Sequence, residues 1–223
     1  MRNFLIATGP YAVSAILLVE ALVLFGLIRR QNRSKSPMIL CMVLVTAGLL
    51  YDGAVILLGK LLPEGVLKAL SMGRFLLHGL CMPLLLMIAV YSLGWKEKTV
   101  QVFWIIAGLL MAAGAAAGLL TRLDIADFAG LVRCTASDST PKWADSYLTV
   151  LSVVMVIPLL IAGTILLFRK KGPFLLLSGL FMFAFSALGP ATGNTDLIFL
   201  IGMFGEALMV LFFLLHAIRA QKG

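Results

Sequence analysis

The chain has 223 residues, 61% of them hydrophobic and 13% charged, against about 45–50% and about 25% in a soluble domain. So much apolar surface excludes a water-soluble globule and points to a bilayer, with room for about seven helical spans and short connections. The formal charge of +8 then reads as Lys and Arg gathered beside spans on the cytoplasmic face, not as a nucleic-acid surface.

Met1-Arg2-Asn3-Phe4 runs straight into an apolar segment with no small-residue cleavage site, so it reads as the approach to a first span rather than a removed signal peptide. Span 1 covers about 11–28 and stops at the cationic run Arg29-Arg30-Gln31-Asn32-Arg33-Ser34-Lys35. Span 2 covers about 37–59, and Lys60 to Gly65 is a turn punctuated by Pro63 and Gly65. Span 3, about 66–95, is long enough to tilt, and Lys96-Glu97-Lys98 closes it. Span 4 covers about 100–120. A polar loop follows over 121–146, with four acids, three bases and Pro141. Span 5, about 147–168, ends in Arg169-Lys170-Lys171. Span 6 covers about 173–189 and span 7 about 196–218, followed by Arg219 and Lys222. The fold class predicted is an all-α, seven-transmembrane-helix bundle forming one domain. Each span exceeds what a barrel strand needs, and none alternates polar with apolar residues.

Orientation follows from the bases. Arg29, Arg30, Arg33, Lys35, Lys96, Lys98, Arg169, Lys170, Lys171, Arg219 and Lys222 fall on one side, 11 of 18. Arg2, Lys60, Lys68, Arg122, Arg133 and Lys142 fall on the other, and Arg74 lies within a span. The rule of positive cytoplasmic loops puts the N-terminus and the 121–146 loop outside and the C-terminus in the cytoplasm, in a bacterial cytoplasmic membrane. A cationic loop leads into a Pro-started span at both Pro37 and Pro173. Spans 1–3 and 5–7 could thus be two parallel triple-helix units joined by span 4, a 3+1+3 repeat of a kind found in transporters, while cationic inner loops give any seven-span chain part of this pattern by default.

Five ionisable residues lie well inside spans: Glu20, Asp52, Arg74, His78 and Glu206. Charge at such depth costs at least a few kcal/mol per group, so it is paired or faces a wet cavity. At 1.5 Å per residue, Glu20 lies roughly 18 Å, Asp52 roughly 12 Å, and Arg74 and Glu206 roughly 15 Å from the expected outer ends. Four helices thus deliver charge to one stratum. Arg74 and His78 are spaced i,i+4 and share a face with Ser71 and Cys81. Arg74 stays charged when buried and needs an anion. Asp52, on the neighbouring span, is its expected partner. Burial favours the neutral carboxyl, which makes Glu20 and Glu206 the candidate proton carriers. Asp52, His78 and Glu206 are the candidates for acid–base catalysis. A structural Asp52–Arg74 lock with neutral glutamates explains the same residues without a function.

Span 4 is rich in Gly and Ala, and Gly114 and Gly118 form a GxxxG, which lets helices approach closely within the bundle or in a homodimer. Pro83 and Pro158 predict kinks in spans 3 and 5. The outer loop is expected as a short interfacial helix or a disordered connection. His216, near the inner end of span 7, is expected at the interface.

There is no Walker loop, GxGxxG or CxxC, and no cofactor is implied. Two distant histidines exclude a three-histidine metal site. The topology is similar to that of seven-span zinc hydrolases and retinal proteins, but the histidine motifs and the mid-span-7 lysine are missing. It is similar in length and order to small sugar transporters, without their proline-rich signatures. Three functions remain. The first is a small-solute or proton-coupled transporter or binding protein acting on a small molecule or proton. The second is a membrane-embedded enzyme on a lipid or amphipathic substrate. The third is a non-catalytic sensor or assembly factor. Membrane lipids surround the chain in each case.

Overall fold

The computed structural model describes residues 2–221; Lys222 and the side chain of Arg2, both counted above, lie outside what is described. Seven helical segments are long and apolar enough to cross a membrane: Asn3–Ser34, Pro37–Leu61, Glu64–Ser92, Glu97–Leu120, Lys142–Phe168, Phe174–Ala191 and Thr195–Ala220. They comprise α1 (Arg2–Ser34), α2 (Pro37–Leu58), α3 (Glu64–Cys81), α4 (Leu84–Ser92), α5 (Glu97–Leu120), α6 (Lys142–Val154), α7 (Ile157–Phe168), α8 (Phe174–Ala191) and α9 (Thr195–Ala220). The seven expected spans are thus all present as helices, with altered ends. α1 begins at Arg2, not near Tyr11, and its 33 residues make roughly 50 Å of helix at 1.5 Å per residue. That exceeds a hydrocarbon core of about 30 Å, so it tilts or projects.

Two spans are broken where proline predicts it. Span 3 divides into α3 and α4 at Met82-Pro83, and span 5 into α6 and α7 at Met155-Val156, just before Pro158. Proline lacks the N–H of a helical bond and its ring crowds the preceding turn. The neighbouring N–H groups switch to tighter bonds, Leu85 N to Met82 O at 3.0 Å and Val156 N to Val153 O at 3.3 Å. No backbone donor can be left unpaired in lipid, and these short turns meet that demand.

Each span packs on its neighbours in the chain, and α9 packs on both α8 and α1, which closes a ring in sequence order. α4 fills the inside, against α2, α5 and α7, with Leu84 through Val90 buried apart from Leu86. Two triple-helix units would pair span 1 with span 3 and span 5 with span 7. The ring pairs neither extensively, so the expected 3+1+3 repeat finds no support.

α3 crosses α5 closely. A Cβ on Gly79 would strike the backbone of Gly114, one on Gly114 would strike Gly79, and one on Gly118 would meet Phe75 O at 2.7 Å. The GxxxG of span 4 is therefore occupied inside the chain, the first of the two uses that its small residues allow.

The 121–146 segment is neither an interfacial helix nor a disordered connection. It carries an antiparallel hairpin of β1 (Leu123–Phe128) and β2 (Leu131–Ala136), in which Phe128 pairs with Leu131. Ala129 and Gly130 make the two-residue turn with φ of +47° and +78°, the double left-handed geometry that suits a tight hairpin. The turn is inserted into the bundle. Ala129 and Leu131 are buried with Val13, Ile16, Leu17, Ile56 and Phe199. Glycines make room for its backbone: Gly9 lies against Ala129 O, Gly59 against Val132 O, and Gly130 against Ile6 O. Asp196 Oδ1 accepts from Ala129 N at 2.7 Å. Asn194 Oδ1 caps α9 by accepting from Asp196 N and Leu197 N. Burial of the turn and its fixed partners explain why a polar loop becomes ordered structure. The hairpin marks one end of the bundle; the Arg- and Lys-rich loops mark the other.

Candidate functional site

Below the hairpin, a cavity of about 360 Å³ lies between α2, α3, α6 and α9. Its rim is set by Thr121, Ala136 and Asp145, and its floor by Val45, Leu49 and Met82, beside the break at Pro83. Four of the five intramembrane residues picked out by sequence line this one space: Asp52, Arg74, His78 and Glu206. Glu20 does not line it. It is 1% exposed, one of its carboxyl oxygens has no hydrogen-bond partner, and it lies within electrostatic reach of Asp52 and Glu206.

α2 and α3 are consecutive and pack together, so Asp52 and Arg74 meet as the sequence predicts. Arg74 Nε donates to Asp52 Oδ1 at 2.5 Å, and its Nη1 donates to Cys134 O of β2 at 3.3 Å. Tyr51 Oη donates to Leu70 O at 2.9 Å and staples the same two helices one turn away. The pair is lopsided: the Arg74 side chain is 7% exposed and the Asp52 side chain 32%. Asp52 therefore offers its carboxylate to the cavity while its cation stays behind it.

His78, one turn below Arg74, has Nε2 2.7 Å from Ser152 Oγ of α6. Ser152 donates its single proton to Leu148 O at 2.8 Å, which leaves the hydroxyl a lone pair to accept the Nε2–H. α6 presents a polar stripe to the cavity, with Asp145, Thr149 and Ser152 spaced i, i+4, i+7. Glu206, on α9, makes no hydrogen bond with the described residues.

The hairpin brings a second arginine to the cavity, one that the sequence places in the polar 121–146 segment. Arg133 of β2 lies on the cavity wall, with its guanidinium carbon 4.9 Å from the Phe128 ring centre and 4.8 Å from that of Phe199. Such placement over aromatic faces is favourable for a cation. Burial, and then the neighbouring Arg74, push Arg133 down to about 10, opposed by Asp52 and Glu206, so it keeps its charge at neutral pH. Its Nε is buried without a hydrogen-bond partner, and it forms no ion pair among the described residues. The sequence suggests three buried acids against one permanent base. The cavity wall instead carries Asp52, Asp145 and Glu206 against Arg74 and Arg133, with His78 between.

The cavity also has a side. In its basic half, span 5 packs on span 6 through α7 and α8; in its hairpin half, α6 packs on α5 and makes no more than marginal contact with α8 or α9. The break before Pro158 separates these two courses. This leaves α6 and α9 unpacked against each other, a gap edged by Asp145, Thr149, Ile198 and Gly202 on the cavity wall.

His216 takes no part in this site. It is buried, not interfacial, with Nε2 3.1 Å from Ser92 Oγ of α4. α4 fills the inside of the ring and reaches α9, which the length of span 3 alone does not reveal. Neither a protein-family profile nor a curated protein matches the chain.

Proposed function

We propose that this is a membrane-embedded binding protein or transporter for a small solute, and that the cavity is its binding site. The observation that carries the reading is the convergence of Asp52, Arg74, Arg133, His78 and Glu206 on one cavity. Intramembrane charge is costly and gathers where substrates or protons pass. In this reading Arg74 holds Asp52 in place, and Glu206 and Glu20 carry the proton. The proline breaks at the cavity floor are the joints about which a closed bundle would open toward its basic end. The bias of bases places that end in the cytoplasm of a bacterial inner membrane and the hairpin outside. A cysteine at exposed Ser139, labelled in intact cells by a membrane-impermeant maleimide, checks this orientation; protection of Ser139 with labelling at Lys98 reverses it.

The transport reading is tested in proteoliposomes under an imposed pH gradient, with a panel of small anions, zwitterions and sugars. Uptake, or saturable binding, is expected for the wild type and is lost in Asp52→Asn and Glu206→Gln. Equal behaviour of both variants and wild type removes the reading.

One observation favours a second reading. The His78–Ser152 hydrogen bond faces a cavity flanked by the α6–α9 gap, an arrangement suited to acid–base chemistry on an amphipathic substrate. Such an enzyme would change the lipids of the same vesicles chemically, and would stop doing so in His78→Ala. Unaltered lipid after prolonged incubation excludes it.

A further inference from the structure

Arg133 is held by its surroundings but not satisfied by them. Phe128 and Phe199 fix the guanidinium plane, its Nε is buried and unpartnered, and no carboxylate among the described residues lies within ion-pair distance. Glu206 is on the same cavity wall, yet it makes no bond to Arg133. Arg74 is occupied by Asp52 and Cys134 O. A guanidinium offers five donors in a planar fork, matched to the two oxygens of a carboxylate or phosphate. Arg133 is half-buried with its Nε shut off from any partner, an unfavourable state for a charge that an oxyanion would relieve.

The rest of the cavity says what the oxyanion is attached to. Below Arg133 and Arg74, Val45, Leu49, Met82, Leu148 and Met203 give the wall an apolar part, interrupted by His78, Ser152 and Glu206. The gap between α6 and α9 lies beside this part. Its α9 edge carries Gly202, where an added Cβ would meet nothing within 4 Å. No acid on the wall pairs with Arg133: Asp52 is bound to Arg74, Asp145 lies at the rim, and Glu206 shares the wall without reaching ion-pair distance.

We propose that the cavity takes an amphiphile sideways from the bilayer, with a carboxylate or phosphate headgroup on Arg133 beside Arg74 and its chain leaving through the α6–α9 gap. The proposal rests on the solute-binding reading above and names its ligand class. A fatty acid and an anionic phospholipid share the recognised oxyanion. So does a free anion, which would reach Arg133 from the hairpin end without using the gap.

The test uses the purified full chain in a neutral sugar detergent. Binding of labelled palmitate and of labelled phosphatidic acid is measured directly, with acetate and inorganic phosphate as competitors. Saturable binding of at least one amphiphile is expected, with no competition from millimolar acetate or phosphate. Arg133→Gln is expected to weaken it tenfold or more, Arg133→Lys to retain part of it, and Lys142→Gln, at the exposed start of α6, to leave it unchanged. Gly202→Leu, whose Cβ would meet nothing within 4 Å, is expected to block the gap and weaken amphiphile binding tenfold or more while the protein keeps its melting temperature. Full competition by inorganic phosphate or acetate, with Gly202→Leu binding like wild type, overturns the lateral amphiphile but leaves a small-solute site intact. Amphiphile binding that Arg133→Gln and Gly202→Leu do not change overturns the assignment outright. Loss of uptake in Asp52→Asn without any amphiphile binding also overturns it, and in that case the solute reading survives.

Discussion

The two halves of this bundle are built from similar helices and packed in different ways. In the basic half, Leu27, Met42, Leu85, Ile88, Leu159, Leu166, Leu175 and Phe213 belong to one continuous apolar cluster around α4. In the hairpin half the apolar contacts fall into three small groups, one around the hairpin turn, one where Val55, Leu67 and Cys134 meet, and one where α6 meets α5. The cavity occupies the space between them. The acids mark the seam: Glu20 lies between Leu17 of the hairpin group and Val23 of the basic cluster, and Glu206 between Met203 and Met209. Inside a membrane, helices are held by close packing and internal hydrogen bonds rather than by expulsion from water. The hairpin half is held by these smaller apolar groups, the glycine-lined α3–α5 crossing and its polar contacts, and it leaves room for a cavity. The comparison teaches that charge is tolerated here because it is confined to the half that gives up packing.

If that division is real, stability and binding should respond to different residues. The largest stability loss is expected at Phe213, which is 0% exposed at the centre of the basic cluster. Phe→Ala in a water-soluble core costs about 3–5 kcal/mol. In lipid the part due to transfer from water shrinks, and about 2–3 kcal/mol should remain from lost packing. Thermal unfolding in detergent should show this in Phe213→Ala with little change in ligand affinity at temperatures where the protein is folded. The comparison breaks if Phe213→Ala melts like wild type, or if it loses ligand affinity as steeply as Arg133→Gln.

Much of this is legible in the sequence. Apolar runs between cationic stops specify the spans, because a bilayer demands their length and their composition together. Pro83 and Pro158 specify the breaks, and a charged Arg74 beside a short turn specifies Asp52 as its partner. The parts that were not legible are the ones that depend on where segments meet. Arg133 is one of three bases in a polar loop, and nothing local distinguishes it from Arg122 or Lys142. Its place is decided by a hairpin turn at Ala129-Gly130 and by glycines on α1 and the end of α2 that receive it. The stripe of Asp145, Thr149 and Ser152 does carry a helical spacing, and reading it as the start of span 5 rather than the end of a loop would have put α6 on the site. The ring order was hidden by a property that all such chains share: cationic loops in alternation imitate a repeat whether or not the spans pack as one.

The finest separation of the two halves lies at the seam, in Glu20. Its carboxyl is buried with one oxygen unpartnered, and it stands behind the cavity wall rather than on it. A residue there purely for packing should be replaceable at small cost, since apolar groups of similar volume often replace buried polar ones neutrally or with gain. Glu20→Met should therefore change the melting temperature by no more than about 1 kcal/mol in equivalent stability, in the stabilising direction. Glu20→Gln keeps the shape and removes the exchangeable carboxyl proton. If Glu20 relays a proton between Glu206 and the interior of the ring, both variants keep ligand binding while solute uptake loses its dependence on the pH gradient. Binding lost together with uptake would instead place Glu20 among the groups that shape the cavity. Uptake unchanged in both would leave the proton to Glu206 alone.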